Sequence, residues 1–212
     1  MSTKKLLASI TPEKAIELLL EGNRRFRHHD HITRDFMEEI VRTAPKQYPF
    51  AIILGCIDSR VPVEILFDQG VGDLFITRIA GNFENKDILA SMEYACAVSG
   101  SKLIMVLGHE SCGAVKAACD DVKLGHITQL LEHIKPAIAH TNIRGAISSK
   151  NKTCVDNVAK TNVKLTIQRI REKSPILSDL EQKGNIKIVG AFYEVKTGKV
   201  HLLDDKIKTY KH

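Results

Sequence analysis

Residues 55–60 read GCIDSR, with a thiol at Cys56, a carboxylate at Asp58 and a guanidinium at Arg60 on alternate positions. In extended chain, residues two apart point to the same side, so Asp58 and Arg60 are spaced to pair. A bidentate guanidinium would hold the carboxylate ionised and fix its direction. Further along, His109-Glu110-Ser111-Cys112 offers an imidazole and a second thiol. Cys56, His109 and Cys112 together make a Cys2His set, which suits zinc and leaves a fourth coordination position open. An anchored carboxylate beside that position has two uses. It can orient zinc-bound water or hydroxide, or it can swing in as a fourth ligand and block catalysis. Taken singly the signals are weak. His-x-x-Cys is a loose pattern, Cys56 reads equally well as a small buried hydrophobe, and His109 as a hydrogen-bonded strand-end residue.

The elements around these residues decide whether they can meet. PFAIILGC (49–56) and KLIMVLGH (102–109) are apolar throughout and of strand length, as expected of strands buried on both faces. DLFITRIAG (73–81) reads as a third strand. Between strands, VPVEILFDQGVGD contains a helical turn, NKDILASMEYACAVSG a helix ending at Gly100, and SCGAVKAACDDVKLG a helix that puts Cys112 in its first turn. There the dipole favours thiolate, and Gly113 permits close approach. Two or three further helices fall within about 126–182. IKIVGAFYEVKTGKVHLLD reads as a strand, a turn at Lys196, Thr197 and Gly198, and a returning strand. Ahead of the first strand, Thr11 and Pro12 start a helix with an apolar face at Ala15, Ile16, Leu18, Leu19 and Leu20. His28, His29 and His31 lie in an exposed connection, where a solvated loop is a better reading than a metal site.

Strands alternating with helices predict an α/β fold: a mostly parallel central sheet with flanking helices and an antiparallel C-terminal edge strand. Such sheets gather ligands beyond the carboxyl ends of their strands, where AIIL-Gly-Cys56 and LIMVL-Gly-His109 both end. The expected organisation is one domain over 1–212 with an N-terminal helical arm over about 1–45.

The stretches C-x-D-S-R-V-P, G-D-L-F-x-x-R-x-A-G-N and G-H-x-x-C-G-A resemble the β-class carbonic anhydrases. L-x-E-G-N-x-R-F and P-F-A-I-I-L-G-C extend the likeness, which is strong over about 20–116 and looser elsewhere. The resemblance implies one zinc per chain on Cys56, His109 and Cys112, with Asp58 and Arg60 as a catalytic dyad. It implies reversible hydration of CO2 to bicarbonate by attack of zinc-bound hydroxide, with Asp58 as a possible fourth ligand in a closed state. Gln47, nine residues before Cys56, would hydrogen-bond bicarbonate, while Phe75 and Tyr94 would wall the pocket, partly across a dimer interface. The family fold assembles as dimers or higher even oligomers. Ile57 and Val63 stand where the family usually has serine and a second proline. Ile53 stands where a bicarbonate-regulated branch carries tryptophan, and this chain has none. Two other readings remain: a carbon disulfide or carbonyl sulfide hydrolase on the same fold, or a non-catalytic zinc-stabilised interaction protein.

Composition excludes other classes. The net charge of +6 comes from scattered lysines and arginines with 5% aromatics, so no basic stripe or stacking platform points to nucleic acid. No apolar run approaches membrane-spanning length. The N-terminal apolar run LLASI is too short for an export signal, so a cytoplasmic chain is expected. Five cysteines fit reduced thiols and metal ligands better than a disulfide framework. Cys96 and Cys119 read as packing residues, and Cys154 as a helix-opening thiol with no partner.

Overall fold

A computed structural model of the chain describes residues 4–143 and 145–204; the outermost residues of the expected domain lie outside it. Three helices come first: α1 (Lys4–Ser9), α2 (Pro12–Arg27) and α3 (Phe36–Thr43). Thr11 caps α2 as its chemistry predicts, with Lys14 N donating to its hydroxyl oxygen at 3.2 Å. Ala15 and Leu19 of that helix are fully buried against the sheet.

Five strands follow: β1 (Ala51–Gly55), β2 (Leu74–Arg78), β3 (Leu103–His109), β4 (Lys187–Tyr193) and β5 (Val200–Leu203). They form one sheet in the order β2-β1-β3-β4-β5, parallel except for β5, which runs antiparallel to β4. Every residue of β1 and β3 is buried, which is why both read as unbroken apolar runs. Edge strand β2 is half-buried and shorter than its sequence signal. Ile79 makes the last bond to Gly55 O at 3.1 Å, and Gly81 then turns the chain at φ +82°.

Helices cover both faces. They are α4 (Val63–Leu66), α5 (Lys86–Glu93), α6 (Gly113–Cys119), α7 (Gly125–Glu132), α8 (Lys135–Ala139), α9 (Lys152–Lys173) and α10 (Pro175–Gln182). Four helices therefore occupy the stretch expected to hold two or three. The regular helix expected to run on to Gly100 instead opens into a π-helix at Tyr94–Val98, where Ser99 N bonds Tyr94 O at 3.0 Å. Leu19, Phe50, Ile53 and Met105 fill the core on one face of the sheet. Leu54, Met92, Val106 and Ile167 fill it on the other. Each such side chain contributes about 1.5–3 kcal/mol relative to leaving it exposed. A third cluster, with Cys56, Phe83, Cys112, Ile134 and Val158, lies at the carboxyl ends of the strands.

Candidate metal centre

β1 delivers Cys56 one residue beyond its end, and β3 delivers His109 as its last residue. Cys112 follows as the N-cap of α6. Their ligand atoms lie within 4.8 Å of one another, and all three residues are buried. The two sulfurs are 3.9 Å apart. Tetrahedral zinc with Zn–S near 2.3 Å requires about 3.8 Å between two thiolates, so the spacing fits the ion. His109 is aimed by its other nitrogen: Nδ1 sits 3.0 Å from Glu110 O, a donor's position in the tautomer that leaves Nε2 as a lone pair. Nε2 is buried and has no hydrogen-bond partner. An orphaned imidazole nitrogen facing two thiols is what a metal ligand looks like.

Electrostatics separate the thiols. The Cys112 thiol foremost, then His109 and the Gly81 and Asp58 amides, bring Cys56 down to about 4 against the opposing effect of burial. Cys112 is pushed well up, first by Cys56 and then by burial, although the Val115 and Ala114 amides pull the other way.

The dyad forms as its spacing predicts. Arg60 Nε donates to Asp58 Oδ1 at 2.9 Å and its terminal nitrogen to Oδ2 at 2.8 Å, while Arg60 N adds a third bond to Oδ1 at 3.0 Å. Those bonds hold the Asp58 carboxyl well below the usual carboxylate range. Asp58 Oδ2 is 4.0 Å from His109 Nε2. Ile57, in the place of the family serine, is 61% exposed and touches none of this, whereas Val63 is buried in the core beside Gly55.

Gln47, Phe75 and Tyr94 are not brought to this cluster. Phe75 pairs with Ile52 and Arg78 with Gly55, so Phe75 lies about 10 Å back along the strands from the metal end. Phe75 packs edge-on against Tyr94, with ring centroids 6.2 Å apart. Tyr94 and Gln47 line a cavity of about 620 Å³ at the amino end of β1. Of the loop histidines, His31 stacks edge-on against Phe26, and none joins a potential metal cluster among the described residues. Cys154 does have a partner. It faces Cys119, whose thiol is pushed up to about 12 by burial and then by Cys154.

Residues without a role in the sequence reading complete the centre. Arg78 donates to Cys56 O at 2.7 Å and Asp58 O at 2.6 Å, clamping the turn that carries both side chains. Gly81 N donates to Cys56 Sγ at 3.4 Å. Asp156 accepts from Ser111 N at 2.9 Å, which secures Ser111 at φ +57° between the two later ligands. Tyr193, buried at the end of β4, faces Asp58 and Arg60. Arg78 and Gly81 lie inside a motif stretch, but their contacts depend on register. Asp156 lies on α9, far away in sequence.

Fold and cluster together define an α/β protein with two thiols and an imidazole at the carboxyl edge of its sheet that could hold a metal ion. The family described as carbonic anhydrase matches residues 51–200. Carbonic anhydrase 2 of Mycobacterium tuberculosis is 35% identical over 205 residues, covering 93% of this chain and 96% of that protein. The structure of the β-carbonic anhydrase CcaA aligns with a TM-score of 0.69 at 25% identity, over 90% of this chain and 95% of that one. Tetrameric β-carbonic anhydrases from Sordaria macrospora share the fold, with a TM-score of 0.67 at 21% identity over 89% of this chain and 96% of that one. The chain belongs to the carbonic anhydrase family, in its β class: it is a zinc-dependent enzyme of reversible CO2 hydration.

Proposed function

We propose that Cys56, His109 and Cys112 hold one zinc per chain and that Asp58, anchored by Arg60, is the catalytic carboxylate. Zinc, when bound, supplies the Lewis acidity that makes a hydroxide nucleophile available from water near neutral pH. The chain supplies direction. Asp58 Oδ2 accepts the O–H of the nucleophile, which turns a lone pair toward the carbon of CO2. Arg60 keeps that carboxylate ionised and in place. With both carboxylate oxygens taken by Arg60, Asp58 is turned to the guanidinium and not to the metal, which supports the open arrangement over the closed one.

Gln47, Phe75 and Tyr94 belong to the substrate pocket of a second copy of the chain, where Gln47 donates to the developing carboxylate oxygen. Their distance from the cluster of their own chain supports this, as does Tyr94 at 52% exposure. α3 also exposes Phe36, Met37, Ile40 and Val41 together, an apolar surface that a second subunit would cover. The Sordaria proteins, on the same fold, are tetramers. A cytoplasmic location is supported by five free cysteines with no disulfide. No helix among the described residues is long and apolar enough to cross a membrane.

The observation that carries this reading is the bidentate Arg60–Asp58 pair 4.0 Å from the unpartnered His109 Nε2. Stopped-flow CO2 hydration by Asp58→Ala, with zinc assayed on the same sample, tests it. Activity should fall at least about a hundredfold with zinc retained. Wild-type rates in a zinc-loaded variant would remove Asp58 from the mechanism.

A further inference from the structure

We propose that Asn162 is a positioning residue of the metal centre and acts on Cys56 by holding the backbone conformation of Gly81. Asn162 lies on α9, between Val158 and Ala159 on one side and Val163 and Thr166 on the other, all of them buried. Its side chain is 1% exposed. Nδ2 donates to Gly81 O at 2.8 Å, and Gly81 N in turn donates to Cys56 Sγ at 3.4 Å. Oδ1 has no hydrogen-bond partner. A buried amide with one oxygen unpaired costs stability, so in stability terms an apolar residue of similar size would suit this helix face better. What Asn162 gains is control of one carbonyl.

Gly81 is confined from other directions as well. At φ +82° it adopts a conformation that favours glycine, and a Cβ there would come within 2.4 Å of Ile134 Cδ1. The following loop is tied to the same helix through Glu84, which is buried and paired with Arg169 at 2.9 Å and Lys173 at 2.8 Å. Asn162 holds the peptide that follows the Gly81 Cα, and the glycine's φ of +82° together with the close approach of Ile134 sets the turn between that peptide and the preceding one, whose N–H points at the sulfur. An amide bonded to a thiolate withdraws charge from it. Loss of that bond would raise the sulfur's donation, which moves charge-transfer energies, but would leave the binding lone pair unaimed, and that loss of orientation is what weakens the metal's hold.

The inference rests on Cys56 being a zinc ligand. If that reading failed, the unmodified protein would lack stoichiometric zinc, whereas failure of the Asn162 role alone would leave zinc bound normally in wild type and variants. The test uses Asn162→Leu, nearly isosteric without the donor, and Asn162→Ala, which removes the amide altogether. Ile167→Ala serves as control, since it removes buried volume from the same helix without touching Gly81. Chelator competition should show both Asn162 variants binding zinc about 10–100-fold more weakly. In cobalt-substituted protein, the sulfur-to-cobalt charge-transfer band should move to lower energy. Ile167→Ala should lower thermal stability and change neither reading. Wild-type affinity and band position in the Asn162 variants would overturn the proposal, as would equal weakening in Ile167→Ala. If the variants do not fold, cadmium-113-loaded wild type decides. A through-bond coupling from the metal to the Gly81 amide proton is expected, and its absence overturns the relay.

Discussion

The two ends of β1 are built on different principles. At the carboxyl end, each of Cys56, Asp58 and His109 is held by a second contact from a different residue: Arg78 on the first two, Gly81 on Cys56, Arg60 on Asp58 and Glu110 O on His109. At the amino end, Gln47 is exposed, Tyr94 is 52% exposed, and Tyr94 meets Phe75 edge-on at the rim of the core. One end is finished within a single chain, and the other presents a surface. The lesson is that a metal centre demands angular precision, which only a chain's own packing supplies. A surface left open for a neighbour to cover carries no such demand within the chain.

Breaking the finished end should produce the largest effect. Cys112→Ala is expected to drop zinc well below one per chain and to lower CO2 hydration by about a thousandfold or more, read by metal analysis and stopped flow. Retained stoichiometric zinc would mean the three-ligand centre is wrongly drawn. Arg60→Lys should keep zinc and lose about tenfold in rate, because an ammonium cannot grip both carboxylate oxygens. Asp58 also fixes a pH dependence. Its depressed carboxyl contributes stability that is present above the ordinary carboxylate range and lost as pH falls through the depressed value. The stability difference between wild type and Asp58→Asn in urea unfolding should therefore stay constant from about pH 6 to pH 9 and shrink only in strong acid.

The surface end should respond more gently and differently. Gln47→Ala is expected to lower kcat/KM about tenfold with zinc unchanged, and Tyr94→Asp to shift sedimentation velocity toward smaller species. If Tyr94→Asp left both assembly and rate untouched, the second copy would not be what closes the pocket. The smallest effect concerns thiols outside the centre. Burial pushes Cys96 up to about 12, and Cys119 stands at about 12 as well. Both stay protonated through neutral pH and should resist iodoacetamide at pH 8 in folded protein, checked by intact mass.

Much of this was legible in the sequence. The apolar runs of β1 and β3 announce a parallel sheet because neither strand touches water. Gly-Cys and Gly-His at their ends announce where ligands converge. The Asp58–Arg60 pair follows from two-residue spacing alone. The contacts that aim these groups were not legible. Arg78 reaches two carbonyls in the turn that follows β1, and Asn162 reaches Gly81 across 81 positions, distances that only the folded register closes. Cys154 looked unpaired because its partner lies on another helix. The breakdown of α5 into a π turn had no local signal, since YACAV carries no Pro or Gly.

That π turn also has a bearing on what the chain tolerates in length. A π segment is an α-helix carrying one surplus residue. Here the surplus is absorbed between Tyr94 and Ser99, and Ser101 N still reaches Ala95 O at 2.9 Å before β3 begins. Deleting one residue from 94–98 would restore regular winding and turn everything after it by about 100° against the helix before it. Ser101, whose hydroxyl is tied to Pro49 O at 2.8 Å, would have to let go. Single-residue loss at this point should therefore be felt at the start of β3, well away from the metal.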